Sequence, residues 1–346
     1  MNTKHEILDI PRALRETLEK GRPEYEALVR QTRWGGGPIY MVGCGSSWLA
    51  GLVGAYAFES LLGWPVIVRS PAVFETYTIA ALRPRSVVLI LSPSGESEEA
   101  LAAAQAARGR GAVLLALTDN STSPLGTMVD GVFPLRTGED RGWGMRNAVC
   151  QQAAISYIGL VAARVLKRHH PKLDALEDEF AKLPGQVEWV QTQLQDAVRS
   201  FASELKELQS LCVVGGGFYH PTALQWALLL RAMTRLQASG FECSEFPRGP
   251  LESLGRDAVV VFLSGSRCRL KKAVHQAAAL VKKAGARVFS LTDSNDHELA
   301  ERSQLAVLLP ALSEMVGSVL TLVLLQWVAY HAAREQGRNP DQTPPS

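Results

Sequence analysis

Unbroken apolar runs, rather than alternating apolar and polar residues, mark the strands of this chain. Val87–Leu91 reads VVLIL and Val259–Leu263 reads VVVFL. A strand buried on both faces needs no polar side, so such runs point to parallel sheets covered by helices. In the first half, strands are expected near Pro38–Val42, Pro65–Arg69, Val87–Leu91 and Ala112–Leu117. Helices are expected near Ser47–Leu62, Ser97–Arg110 and Ala148–Lys167. The order is strand, glycine turn, helix, strand, serine loop, helix, strand, which describes a doubly wound α/β domain.

The pattern then recurs. Val42-Gly-Cys-Gly-Ser-Ser47 is matched by Val214-Gly-Gly-Gly-Phe-Tyr219, at an offset of 172. Val87-Val-Leu-Ile-Leu-Ser-Pro-Ser94 is matched by Val259-Val-Val-Phe-Leu-Ser-Gly-Ser266 at the same offset of 172, and Leu117-Thr-Asp119 by Leu291-Thr-Asp293 at 174. Three matches in nearly one register indicate two copies of one α/β unit. The expected organisation is a helical lead-in over 1–34, a first α/β domain over 35–167, a helical connector over 168–206, a second α/β domain over 207–336 and a poorly ordered tail over 337–346. Pro11 stands near a helix start in the lead-in, and Leu176, Phe180, Leu183, Val187, Val190 and Leu194 give the connector helical spacing.

One stretch, Met315–Ala333, has no Asp, Glu, Lys or Arg and is long enough to span a bilayer. It also contains Gly317, Ser318, Thr321, Gln326 and His331, and it takes the place that Ala148–Leu166 holds in the first copy. A packed core helix is therefore expected, and no membrane partner. At 346 residues the chain is long enough for two ordinary cores, and its net charge of +2 calls for no nucleic acid partner. The five cysteines, Cys44, Cys150, Cys212, Cys243 and Cys268, form no CxxC pair. With the polar start Met1-Asn-Thr-Lys-His-Glu6, which lacks the apolar core of a signal peptide, they suggest a reducing, cytoplasmic setting. No HxxxH or HExxH pair is present, so no metal is expected.

The candidate chemistry lies in the loop Ser92-Pro-Ser-Gly-Glu-Ser97 and the turn Gly43-Cys-Gly-Ser-Ser47. In an open parallel sheet, ligands bind beyond the carboxyl ends of the strands, where both segments fall. Glycines let backbone N–H groups approach a ligand, the helix after Ser97 presents unpaired N–H groups, and the serines add hydroxyls. Such a nest holds a phosphate without a lysine. The assigned binding set is Gly45, Ser46, Ser47, Ser92, Ser94, Gly95 and Ser97. The plainer alternative for Ser97 is a helix cap. GxxxxGK[ST] is absent, and Trp48 breaks a GxGxxG pattern after Gly43 and Gly45, so no nucleotide cofactor is expected. The second copy's loop, Ser264-Gly-Ser-Arg-Cys-Arg269, exchanges small polar residues for basic ones. That asymmetry assigns phosphate binding to the first copy and an opposing wall to the second.

Together with Glu245-Phe-Pro-Arg-Gly-Pro-Leu251, the glycine turn and the serine loop resemble tandem SIS (sugar isomerase) domain proteins over roughly residues 35 to 340. The resemblance is to the isomerase half of glucosamine-6-phosphate synthase and to stand-alone phosphosugar isomerases, amino-sugar-phosphate deaminases and fructosamine-6-phosphate deglycases. It implies flavodoxin-like three-layer domains, a sugar phosphate ligand on Ser46, Ser47, Ser92, Ser94 and Ser97, and a homodimer in which the Gly-Pro segment reaches the partner's pocket. Pro93 stands where the family usually has Gln. Residue 2 is Asn2, not the nucleophilic cysteine of a glutamine-hydrolysing domain, so synthase activity from glutamine is not expected.

The catalytic positions depart further. The family's glutamate, lysine and histidine fall on Ala232, Leu229 and Arg248. Its Ser-Thr-Lys segment aligns with Met145-Arg-Asn147, preceded by Trp143, and its C-terminal lysine has no counterpart in Asn339–Ser346. Alanine transfers no proton, and Arg248 stays protonated, so it binds an anion rather than acting as a base. Glu245 and Arg248 are the candidates for catalysis, with Glu139, Asp140 and Glu252 as other acids. The favoured plainer reading of Glu245 is a structural hydrogen-bonding role, and the alternative for Arg248 is an interface salt bridge. Two functions stay open: an aldose–ketose isomerase or amino-sugar-phosphate deaminase or deglycase with a divergent site, and a sugar-phosphate binding or regulatory protein without catalysis.

Overall fold

The structure, a computed structural model, describes residues 3–34, 37–138, 142–255 and 257–342. It contains two five-stranded sheets. The first is built from β1 (Ile39–Val42), β2 (Val66–Arg69), β3 (Val87–Leu91), β4 (Val113–Thr118) and β5 (Gly131–Pro134), in the order β2-β1-β3-β4-β5. The second is built from β6 (Ser210–Gly215), β7 (Gln237–Glu242), β8 (Val259–Leu263), β9 (Arg287–Asp293) and β10 (Leu305–Leu309), in the order β10-β9-β8-β6-β7. Every pairing is parallel. Within each sheet the strand order is 2-1-3-4-5, the flavodoxin-like form of the doubly wound fold. The fifth strand of each copy goes beyond the four read from the sequence.

Alternation along the first sheet sorts its side chains onto two faces. Tyr40, Val42, Val88, Ile90, Leu114 and Ala116 pack with Ala100, Ala103, Ala104 and Ala107 of the helix Glu98–Gly109, here α2. On the other face, Met41, Val68 and Leu91 close on Gly51 of α1 (Ser46–Leu62), and Met41 reaches Gly54 together with Ile155 of α3 (Met145–Val165). The small residues of α1 and α2 let both helices lie close to the sheet. The first sheet therefore carries the two helix starts, Ser46 and Glu98, one on each face, at the carboxyl ends of β1 and β3.

The second sheet repeats the arrangement. Val214, Val260, Phe262 and Val288 pack against Val274, Ala277, Ala278 and Val281 of the helix Lys271–Lys283. The helical lead-in comprises Thr3–Leu8, Ile10–Arg15, a π-helical turn Glu16–Lys20 and Arg22–Gln31, with Pro11 as second residue of its helix. The connector is two helices, Leu173–Gln193, which contains Pro184, and Gln195–Glu204. By compactness the chain divides into one unit of residues 10–140 and 146–181 and another of residues 1–9, 141–145 and 182–346.

Two helices, Met145–Val165 and Glu314–Glu335, are long and apolar enough to cross a membrane. Their most apolar windows are 89% and 94% buried within the fold. In the second, the Ser318 and Thr321 hydroxyls donate to the carbonyls of Met315 and Gly317, at 3.3 and 2.8 Å, which hides their polarity. A helix apolar on all sides and buried on all sides is a core helix.

Candidate functional site

The glycine turn begins where β1 ends. Gly43 N–H donates to Arg69 O at 3.2 Å, and a Cβ on Gly43 would meet the Ser47 carbonyl carbon at 2.8 Å. The chain therefore doubles back tightly into α1. Gly45 has φ +54° and ψ −123°, a conformation that suits only glycine, and a Cβ there would meet nothing within 4 Å. Cys44 and Gly45 are exposed, Ser46 is half-buried and Ser47 is buried.

The serine loop begins where β3 ends. Ser92 N–H donates to Leu117 O at 3.1 Å, and Pro93 O accepts from Asp119 N–H at 2.9 Å and from the Thr118 hydroxyl at 3.0 Å. Gly95, at φ +67°, donates to Ser92 O at 3.1 Å and accepts from Leu125 N–H at 3.0 Å. These bonds strap the loop to the end of β4. Ser92 is buried and Ser94 exposed. The Ser94 hydroxyl accepts from Glu96 N–H at 3.3 Å. Among the described residues, the N–H groups of Ser94 and Ser97 meet no protein acceptor. Gly45, Ser46, Ser47, Ser92, Ser94, Gly95 and Ser97 thus all lie in the two segments at the carboxyl ends of β1 and β3.

Ser97 does cap its helix. Its oxygen accepts from Ala100 N–H at 3.2 Å, and its proton goes to Glu99 Oε2 at 3.0 Å. Glu99's own backbone N–H and the Ser97 hydroxyl hold the exposed Glu99 carboxyl below its usual range. The start of α2 therefore already attracts an anion, supplied by the chain.

Sequence reasoning missed the latch beneath this rim. Asp119 accepts from Thr137 N–H, from the Thr137 hydroxyl at 3.1 Å and from Gly138 N–H at 2.9 Å. The repeated Leu117-Thr-Asp119 was its signal in the sequence.

The second copy has the same frame with different contents. Gly217 has φ +56°, and a Cβ on Gly215 would meet the Tyr219 carbonyl carbon at 2.6 Å. In its loop, Ser266 gives both its N–H and its hydroxyl to Asp293 Oδ2, at 2.7 and 2.9 Å.

Glu245 and Arg248 belong to the unit that holds the second sheet, on the turn after β7, and both are exposed. Neither side chain meets an ion partner among the described residues. The carboxylate that organises this turn is Glu242. It accepts from Ser244 N–H at 2.7 Å, from the Ser244 hydroxyl, from the Cys243 thiol at 3.0 Å and from Glu245 N–H at 3.3 Å. Burial pushes its carboxyl up, but these bonds outweigh burial and leave it lowered. His220, half-buried at the start of the helix Tyr219–Thr234, is lowered by burial, against the nearby Glu242 charge. Neither Glu242 nor His220 was singled out from sequence. Trp143, which precedes the Met145-Arg-Asn147 segment, donates its indole N–H to Pro340 O at 2.6 Å. Glu139 and Asp140 lie outside the described residues.

The SIS domain model matches residues 37–160 and again residues 204–334. The chain belongs to the SIS domain family. Each match spans one sheet, so the two SIS copies coincide with the internal repeat. The glutamine–fructose-6-phosphate aminotransferase (isomerizing) of a Synechocystis strain is 29% identical over 316 residues, which is 88% of this chain and 49% of that one. The chain spans about half the length of the curated relatives it matches. The C-terminal domain of glucosamine-fructose-6-phosphate aminotransferase from Francisella tularensis superposes with a TM-score of 0.88 at 20% identity, covering 98% of this chain and 97% of that one. Glucosamine-6-phosphate deaminase from Thermotoga maritima superposes with a TM-score of 0.71 at 17% identity, covering 98% and 97%. In the second SIS copy, Leu229 is buried in the core and Ala232 is exposed near the end of its helix.

Proposed function

We propose that the first SIS copy binds a sugar phosphate between its glycine turn and its serine loop. The observation that carries this is the open space over Gly45. It adjoins the first turn of α1, where Ser46 and Ser47 stand, and β1 pairs directly with β3, whose end carries the Ser94 and Ser97 N–H groups. A phosphate monoester supplies the several acceptor oxygens that such donors require. The sugar-phosphate names of the relatives support the ligand class.

The reading for the reaction is proton transfer beside C1–C2 of an open-chain sugar, as in aldose–ketose isomerisation or amino-sugar-phosphate deamination or deglycation. Glu245 is the candidate base and Arg248 the candidate anion-binding group. Both are exposed, and neither is committed to an ion pair among the described residues. A second reading is favoured by Ala232 and Leu229, which can neither donate nor accept a proton: a sugar-phosphate binding or regulatory protein without catalysis. The resemblance to tandem SIS proteins favours a homodimer, which light scattering would test, and the lack of a CxxC pair among the five cysteines favours a cytoplasmic setting.

The decisive measurement is thermal stabilisation by fructose 6-phosphate and glucosamine 6-phosphate. Wild type should shift upward, and S92A/S94A should not. Equal shifts in both proteins would overturn the assignment. Exchange of the C1 and C2 protons in deuterated water, followed by NMR, separates the enzyme from the binding protein.

A further inference from the structure

The second SIS copy has a cradle of the same construction, and it is filled by the chain itself. Its glycine turn has a positive φ at the matching position, +56° at Gly217 against +54° at Gly45. Its loop leaves the strand in the same way. Ser264 N–H donates to Leu291 O at 3.1 Å, as Ser92 N–H donates to Leu117 O at 3.1 Å. At the repeat offset of 172, Arg269 takes the position of Ser97.

The two positions differ in what their N–H groups meet. Ser97 N–H has no protein acceptor among the described residues. Arg269 N–H donates to Glu314 Oε2 at 3.1 Å, and its guanidinium Nε lies 3.4 Å from Glu314 Oε1. A Cβ on Gly217 would come within 3.3 Å of the same Oε2. The carboxylate therefore bonds the loop and occupies the space that a side chain on the turn would enter. Glu314 is 9% exposed and opens the helix Glu314–Glu335, whose start is capped by the Ser313 hydroxyl accepting from Val316 N–H at 3.4 Å. Burial, followed by the Glu314 charge, pushes the neighbouring Cys268 thiol up to about 12.

We infer that Glu314 is a resident occupant of the second cradle, a carboxylate held where the first copy would hold a phosphate, and that it closes this copy to ligands. A carboxylate and a phosphate monoester offer the same thing to such a site: anionic oxygens that accept from backbone N–H groups and a guanidinium. A buried carboxylate is stable only with such partners. Without Glu314, the Arg269 N–H and guanidinium would face the glycine turn unneutralised, which makes an anion site. The chain accordingly has one phosphate site, not two. The comparison rests on the phosphate reading of the first cradle, but every contact it uses lies in the second copy.

The test uses the full chain in an S92A/S94A background, which removes two hydroxyls of the first cradle, with inorganic phosphate as the probe. Glu314→Ala should gain a phosphate-dependent rise in Tm of about 3 °C at phosphate near ten times Kd, and the background protein should gain none. A folded Glu314→Ala variant that ignores phosphate overturns the inference. If that variant does not fold, Glu314→Gln keeps the shape and one acceptor but loses the charge. It should melt below the background protein and show no phosphate response, because the amide still fills the space; a Tm equal to the background overturns the inference. Failure of the first-cradle reading would show separately, as equal phosphate responses of wild type and S92A/S94A.

Discussion

A Cβ placed on Gly95 would stand 2.7 Å from the Cβ of Ser123, because the serine loop lies directly on the segment that follows β4. Gly95 also holds φ +67°. Gly95→Ala meets both obstacles and should cost about 3 kcal/mol, read from urea unfolding. Gly45→Ala meets only backbone strain, about 1–3 kcal/mol, because the space above it is open. Its methyl group would enter the proposed ligand space, so Gly45→Ala should lose more sugar-phosphate binding than its stability loss explains.

Cys44 is the exposed thiol of the five, set between Gly43 and Gly45. Burial pushes the Cys150 and Cys268 thiols up to about 12 and raises Cys212 as well. Brief alkylation of the native protein should therefore label Cys44 first, as peptide mass spectrometry would show. Saturating glucosamine 6-phosphate should slow that labelling at least several-fold. Unchanged labelling would count against a ligand at this turn.

Glu99 competes for the place a phosphate would take. Its carboxylate draws the Ser97 proton and sits at the start of α2. Glu99→Gln should raise affinity for inorganic phosphate by about threefold at low salt, the usual scale of one charge at a helix terminus. Titration calorimetry on the two proteins checks the sign.

His220 gives a pH dependence. Its folded value lies below the ordinary 6.5 because burial disfavours the charged ring. As pH falls, the unfolded chain takes up the proton first. The contribution is complete above the unfolded value and is lost as pH falls through it toward the folded one. The Tm of wild type should drop more steeply between about pH 7 and pH 5 than that of His220→Gln.

The repeat at offset 172 made the fold legible, since one run of glycines and one apolar strand were each met twice. The fifth strand of the first copy was not legible for local reasons. Gly131–Pro134 is four residues long, starts with glycine and ends with proline, and pairs only with β4. Residues that disfavour strands are tolerated at such an edge, so propensity says nothing there. The serine loop was legible because hydroxyls and glycine at a strand end have few uses. Ser97 was legible as a helix cap, and only coordinates show that its proton goes to Glu99. Glu242, His220 and Glu314 were not legible, because their roles come from proximity rather than pattern. Arg269 and Glu314 are 45 positions apart, and nothing near either one names the other.

The Arg269–Glu314 contact separates the fate of the second half alone from the supply of metabolite. A loop that closes on its own counter-charge reaches its final shape as soon as the polypeptide is made. It needs no solute to finish it and gives proteases no looser form when nutrients run short. If the other loop holds a sugar phosphate as proposed, it would tighten and slacken with the supply of that ligand. On that assignment, duplication would leave one half as a constant frame and the other as the part that registers change.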